Sequence, residues 1–180
     1  VTAYLNASAI LPTLIDEADS AAVDQCIFEN EDLLVISEFA PAEVASALSR
    51  LVRTGLLTLG DARDRLEDFD AWRAASAIGL DFPAADMRLA HIFVRRFDLG
   101  LRAPDALHTA ACRHESLTLT IQNKRLAAAA NALRLAGETV GCGLTCPYTC
   151  VITPPHMASA TPAATRRRPI TSNRPVFSRR

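Results

Sequence analysis

Leu33-Leu34-Val35-Ile36-Ser37-Glu38-Phe39-Ala40-Pro41-Ala42-Glu43-Val44 is the stretch that decides the architecture. Its first four residues are a continuous apolar run without polar alternation, the pattern of a strand covered on both faces. Pro41 then marks a helix start, because the first helical turn has no use for the N–H that proline lacks. Val44, Ala47, Leu48 and Leu51 recur at three- and four-residue intervals as far as Gly55, which gives that helix one apolar face. A strand that runs directly into an amphipathic helix is the building unit of an α/β sheet.

The same unit recurs on either side. Thr2 to Leu5 is a short β-tolerant run, and Asn6-Ala7-Ser8 breaks it with residues that can cap a helix over about 9–15. Ala21, Val23, Ile27 and Phe28 predict a helix over 20–30. A longer one is expected over 58–75, where Asp61, Asp64, Glu67, Asp68 and Asp70 interleave with Arg63 and Arg65 as a solvated face. Ile78-Gly79-Leu80 reads as a short strand, and Pro83 opens a helix carrying Met87, Leu89, Ala90, Phe93 and Val94. Ala103-Pro104-Asp105 starts another helix, Leu117 to Ile121 reads as a strand, and Asn123 begins a last helix that runs to Leu135. Four brief apolar strands alternating with helices predict an α/β sandwich with a short, mainly parallel sheet.

Composition bounds this picture. The chain has 180 residues, 49% apolar and 22% charged, which excludes a collagenous or wholly disordered chain. Its net charge of −1 is a sum over two unlike segments. Residues 1–138 hold 13 Lys and Arg against 20 Asp and Glu, a net charge of −7; residues 139–180 hold 6 Arg and no acid. Six of the 10 Pro and three of the 5 Cys also fall in the second segment. Beyond Gly137 neither helical nor strand periodicity continues, so a domain over 1–138 and a disordered basic tail over 139–180 are expected. Charges interrupt every apolar run of the body well short of a membrane span. Val1-Thr2-Ala3-Tyr4-Leu5 lacks the basic and apolar regions of a signal peptide, and a cytoplasmic location is expected. Cys26 and Cys112 read as buried free thiols. Cys142, Cys146 and Cys150 are evenly spaced but lack a second ligand pair at zinc-finger separation. The Arg166–Arg168 run could attract RNA by counterion release or simply be solvated.

Ligands of open α/β sheets bind outside the carboxyl ends of the strands. Asn6 follows the first strand, Glu43 lies in the first turn after the second, Asp105 opens the helix before the fourth, and Asn123 follows the fourth. Carboxylates gathered in this way bind Mg²⁺ or Mn²⁺ and activate water for phosphodiester hydrolysis. Here two of the four are carboxylates. Taken singly, Glu43 and Asp105 also suit helix N-termini by the macrodipole, and Asn6 and Asn123 suit helix caps.

The ordered set of Tyr4-Leu5-Asn6-Ala7-Ser8-Ala9, Ala42-Glu43-Val44 through Leu51, Ala103-Pro104-Asp105-Ala106-Leu107-His108-Thr109-Ala110-Ala111, and Leu119-Thr120-Ile121-Gln122-Asn123-Lys124-Arg125-Leu126-Ala127 resembles the PIN-domain ribonucleases, in particular VapC-type toxins of bacterial toxin–antitoxin pairs. The resemblance implies a PIN-like α/β/α sandwich and a metal-dependent endoribonuclease that cleaves RNA phosphodiester bonds with Mg²⁺ or Mn²⁺. It also implies an antitoxin protein partner and a homodimer. By that resemblance Glu43 and Asp105 are catalytic metal ligands, and Ser8 matches a hydroxyl residue that positions water or phosphate. Asn6 and Asn123 stand where the family has Asp. An amide offers a cation one neutral oxygen and no charge, so weakened metal binding is expected, above all for a second ion.

The function expected first is therefore a metal-dependent endoribonuclease impaired by the two amides; the alternative is a catalytically inactive PIN-fold module that retains antitoxin, self-association or RNA binding. His108 is either a phosphate contact near the crevice or a buried structural histidine, and His91 and His114 have no zinc-site spacing around them. Arg50, Arg53 and Arg63 could offset the acidic body toward RNA or merely solubilise helices. Leu48, Leu51, Leu56, Leu57 and Leu66 could serve a homodimer, an antitoxin helix or the core.

Overall fold

The strands over residues 3–5 and 34–37 point alternate side chains into two different cores, and this explains their lack of polar alternation in the sequence. In the computed structural model, which describes residues 2–17, 20–29, 34–135 and 137–139, β1 spans Ala3–Leu5, β2 Leu34–Ser37, β3 Ala77–Leu80, β4 Thr118–Ile121 and β5 Gly137–Thr139. All pairings are parallel, in the order β3-β2-β1-β4-β5. Ala3 and Leu5 of β1 and Leu34 and Ile36 of β2 face one way. They meet α1 (Ala7–Leu14), α2 (Ser20–Glu29), α3 (Ala40–Arg53) and α4 (Leu59–Ser76) through Ile10, Val23, Leu48 and Phe69. Tyr4, Val35, Leu119 and Ile121 face the other way. There α5 (Ala84–Val94), α6 (Ala103–Glu115) and α7 (Lys124–Ala132) cover them through Phe93, Ala110 and Leu126. The layers are helix, sheet, helix, as the PIN-like reading requires.

Several helix boundaries follow from local chemistry. Asn6 caps α1 with its side chain, Thr58 caps α4, Asn123 caps α7, and proline occupies the first turn of both α3 and α6. The expected solvated face of α4 is present, with Ala62 and Phe69 its buried residues. Among the described residues the sheet has five strands, where four were expected. The added strand, β5, crosses the expected boundary at residue 138, and the ordered sheet includes Thr139. It is three residues long and pairs only with β4, so Gly-Glu-Thr carries no apolar pattern that marks a strand. α7 stops at Ala132, short of the expected Leu135, because Arg134 turns to a φ of +56°. The predicted tail, with Cys142, Cys146, Cys150 and Arg166–Arg168, lies outside the described residues.

No helix among the described residues is long and apolar enough to cross a membrane. Cys112 is a buried free thiol, as expected, while the Cys26 side chain lies outside the described residues. Of the leucines with open roles, Leu48 is core, Leu51, Leu57 and Leu66 pack against it, and Leu56 is 75% exposed.

Candidate functional site

Connections change direction in this sheet between β1 and β4, since β2 and β3 extend to one side of β1 while β4 and β5 extend to the other. The crevice of an open α/β sheet lies at such a switch point, outside the carboxyl ends of the strands. Leu5 pairs with Ile36 and with Thr120, so Asn6, one residue beyond Leu5, emerges at this edge between β2 and β4. Asn123 follows β4 at the same edge. The first turns of α3 and α6 bring Glu43 and Asp105 there as well. One contact ties these elements together: His108 of α6 meets Glu43 of α3 at 2.6 Å, and its other ring nitrogen meets Tyr4 of β1 at 2.6 Å. Asp105 lies three residues before His108 and so shares its helix face.

Glu43 is half-buried, and His108 is 1% exposed in a cage formed by the rings of Tyr4, Phe39 and Phe82. Of the two roles open to His108, the structure shows the buried one. The hydrogen bonds around it can be followed donor by donor. Ala40 N–H donates to Ser37 Oγ at 3.1 Å. When the Tyr4 hydroxyl donates to His108 Nδ1, His108 Nε2–H donates to Glu43 Oε2. This arrangement satisfies the Tyr4 hydroxyl and both ring nitrogens of His108. Sequence reading named His108 but missed Tyr4 and Ser37. The available signal was polar residues inside buried strand segments, which require partners.

Asn6 is 4% exposed, and its Oδ1 accepts from Ala9 N–H at 3.1 Å and from Ser8 Oγ–H at 2.7 Å. Both lone pairs of the carbonyl oxygen are thereby occupied. The remaining side-chain atom, Nδ2, is a donor, where an aspartate would present its second oxygen. Ser8, the hydroxyl residue of the first motif, is the residue whose Oγ–H donates to Asn6. Asn123 is exposed, and its Oδ1 accepts from Arg125 N–H at 2.9 Å. Asp105 is half-buried, and its backbone carbonyl accepts from Thr109 Oγ1 at 2.6 Å. At the end of β4, Thr120 Oγ1 and Gln122 Nε2 are buried without a hydrogen-bond partner among the described residues.

These residues do not fit the divalent-ion centre that the resemblance implies. Among the described residues no three His, Cys, Asp or Glu side chains group as metal ligands. Only two of the four motif positions carry charge, and the amide of Asn6, which follows β1, has committed its one oxygen to a helix cap. Hard cations of this class depend on several oxygen ligands with carboxylates among them.

Burial of Tyr4 has a consequence for stability. Its hydroxyl is pushed far above the usual phenol value, chiefly by desolvation and against the smaller effect of the Ser37 hydrogen bond. The folded protein therefore keeps this proton at a pH where the unfolded chain, with an ordinary tyrosine near pH 10, releases it. Above about pH 10 the unfolded state binds fewer protons than the folded one, so stability falls as pH rises. Urea titrations should show a loss of stability from pH 10 upward that Tyr4→Phe makes shallower.

A further feature borders the site. Phe39, Met87, Ala90, His91, Val94, Arg95, Ala103, Pro104 and Leu107 line an apolar groove of about 410 Å³ between α5 and α6. Arg50, Arg53 and Arg63 lie on α3 and α4, and the Arg53 guanidinium bonds Ser49 at 2.7 Å. His114 meets the buried carboxylate of Asp86 at 3.1 Å, and the His91 ring nitrogen lies 3.4 Å from Arg95.

No known family profile matches the chain, and no curated protein matches it in sequence. Solved structures do match in fold. The crystal structure of PAE2754 from Pyrobaculum aerophilum is 22% identical with a TM-score of 0.54, covering 72% of this chain and 79% of that one. VapBC2 from Rickettsia felis, crystallised with a DNA fragment from their promoter, is 16% identical with a TM-score of 0.56, covering 77% and 98%. VapC20 from Mycobacterium tuberculosis, described as a Sarcin-Ricin loop cleaving toxin, is 14% identical with a TM-score of 0.58, covering 71% and 95%. The chain thus has the α/β/α fold of the PIN-domain, VapC-type structures that its four motifs resemble.

Proposed function

We propose that this chain is a VapC-type PIN-fold protein with a disabled hydrolytic metal centre, retained as a binding module for a protein partner of antitoxin type. The observation that carries this reading is the double hydrogen bond on Asn6 Oδ1, which removes the first-strand ligand from any cation in the crevice. The likeness to VapBC2 and to FitAcB from Neisseria gonorrhoeae, the latter 19% identical with a TM-score of 0.55 over 76% of this chain and 96% of that one, supports a partner protein. So does the apolar groove beside the crevice, because unfilled apolar surface of this kind is where a partner helix docks. Self-association through a similar face is part of the same reading.

RNA is the substrate implied by the resemblance, and the body meets it with a net charge of −7 and with carboxylates at only two of the four motif positions. Contact with RNA is therefore weak and turnover minimal. The test is cleavage of a structured RNA by the chain as it stands, with Mn²⁺ and with a chelator. The reading predicts the same trace-level cleavage in both conditions. Efficient cleavage that appears with Mn²⁺ and vanishes with the chelator would instead establish the metal-dependent endoribonuclease.

A further inference from the structure

Two exposed apolar features lie on opposite layers of the sandwich, in segments of opposite charge. The first is the groove between α5 and α6. Phe39, Met87, Val94 and Leu107 are among its apolar lining, and Met87 is 53% exposed. Its rim is basic: Arg88, His91 and Arg95 recur at three- and four-residue spacing along an exposed face of α5, and exposed Arg102 precedes α6. Residues 87–104 hold four Arg against one Asp, a net charge of +3, within a body whose net charge is −7. That acid, Asp98, is paired with Arg96 at 2.6 Å, and Asp86 is buried against His114. Half-buried Asp105 follows the lining residue Pro104 at the crevice end. The second feature is α2. Val23 and Ile27 bury one side of it in the layer of α1, α3 and α4, while Ala21, Gln25 and Phe28 form the other side, with Phe28 68% exposed. Residues 16–32 hold seven Asp and Glu and no Lys or Arg, as much net charge as the whole body.

We propose that α2 of one copy of this chain docks its Phe28 face into the α5–α6 groove of a second copy. A large aromatic side chain fills an apolar pocket, and an acidic helix meets a basic rim, so shape and charge complement each other. Phe28 cannot enter the groove of its own chain, because α2 and the groove lie on opposite sides of the sheet. The same separation makes the contact head-to-tail: each copy offers a groove on one side and α2 on the other, so copies add in chains or rings and do not close as a two-fold dimer. The segment over 139–180, with 6 Arg and no acid, is repelled by the rim and is not the occupant. The mostly aliphatic lining suits side chains of a helix better than the stacked bases of a nucleic acid. A partner helix of the kind proposed above would use the same groove and cap the assembly, so this inference rests on that reading only for the groove as a docking face.

The test is sedimentation velocity of the full chain at rising protein concentration. In about 0.1 M salt, species larger than a dimer should grow with concentration, and they should recede in about 1 M salt, where the screening length falls from about 10 Å to about 3 Å. Phe28→Ala and Met87→Glu change exposed side chains and leave the core intact. Each should weaken association by about thirtyfold, the effect of losing one anchor of an interface. Phe28→Ala keeps its groove and Met87→Glu keeps its α2, so an equimolar mixture of the two should form a one-to-one dimer and stop there. A mixture that associates no more than either variant alone overturns the proposal, as does an unaltered chain that closes as a two-fold dimer. An unaltered chain that stays monomeric throughout, or association indifferent to both substitutions, overturns it as well and leaves the groove to a different protein. The two readings fail separately, because RNA cleavage with Mn²⁺ reports on the metal centre and sedimentation on the groove.

Discussion

Asn6→Asp combined with Asn123→Asp is expected to convert the chain into a Mn²⁺-dependent ribonuclease, with RNA cleavage about a thousandfold above that of the unaltered chain. Two carboxylates would join Glu43 and Asp105 at the carboxyl edge of the sheet, and an ion gathered there stabilises the charge that develops on an attacked phosphate. Such stabilisation amounts to several kcal/mol, and each 1.4 kcal/mol is a factor of ten in rate. The folding cost should be small. Aspartate caps a helix about as well as asparagine, so Ala9 N–H and Ser8 Oγ–H keep an acceptor in Asn6→Asp, and Arg125 N–H keeps one in Asn123→Asp. What changes is the atom not used by the cap, from a donor nitrogen to an anionic oxygen. Initial rates of cleavage with Mn²⁺, compared with a chelator control, measure the gain. Equal rates for the unaltered and doubly substituted chains would show that the amides are not what limits the site.

The second large effect is on stability. His108→Ala should destabilise the fold by about 3–5 kcal/mol, the range for removing a large ring from a core. The ring fills the space between Tyr4, Phe39 and Phe82, so its loss opens a cavity there. It also leaves the Tyr4 hydroxyl without its acceptor and Glu43 without its donor. Tyr4→Phe removes one hydroxyl and no volume, and should cost only about 1–3 kcal/mol through the unpaired Nδ1. Urea midpoints for the two variants give the comparison. A His108→Ala chain no less stable than Tyr4→Phe would mean that the cage collapses around the missing ring.

The contrast between these variants shows what could be read in advance. The strand and helix boundaries were legible because burial of the sheet on both faces leaves continuous apolar runs, as in Leu34-Val35-Ile36, and because Pro41 and Pro104 sit where helices begin. The parallel order followed from strands alternating with helices. β5 was not legible, since a three-residue edge strand that pairs on one side needs no apolar pattern. The common edge of the four motif positions was legible from their order, because the loops at the carboxyl ends of parallel strands emerge on one side of the sheet. Its internal wiring was not. That Tyr4 reaches His108, 104 positions away, depends on the packing of α6 over β1, which no local spacing encodes. The use of Asn6 Oδ1 by two donors was half visible: Asn before a helix signals a cap, but the second bond, from Ser8, required the three-dimensional turn.

The central claim is that the amide at Asn6, together with that at Asn123, keeps divalent ions out of a crevice otherwise built to receive them. Electron paramagnetic resonance of free Mn²⁺ tests it without reference to any substrate, since protein-bound ion disappears from the solution signal. The unaltered chain should leave the Mn²⁺ signal undiminished at millimolar ion, while the Asn6→Asp, Asn123→Asp chain depletes it at matched protein concentration. Uptake of Mn²⁺ by the unaltered chain equal to that of the doubly substituted one would contradict the account.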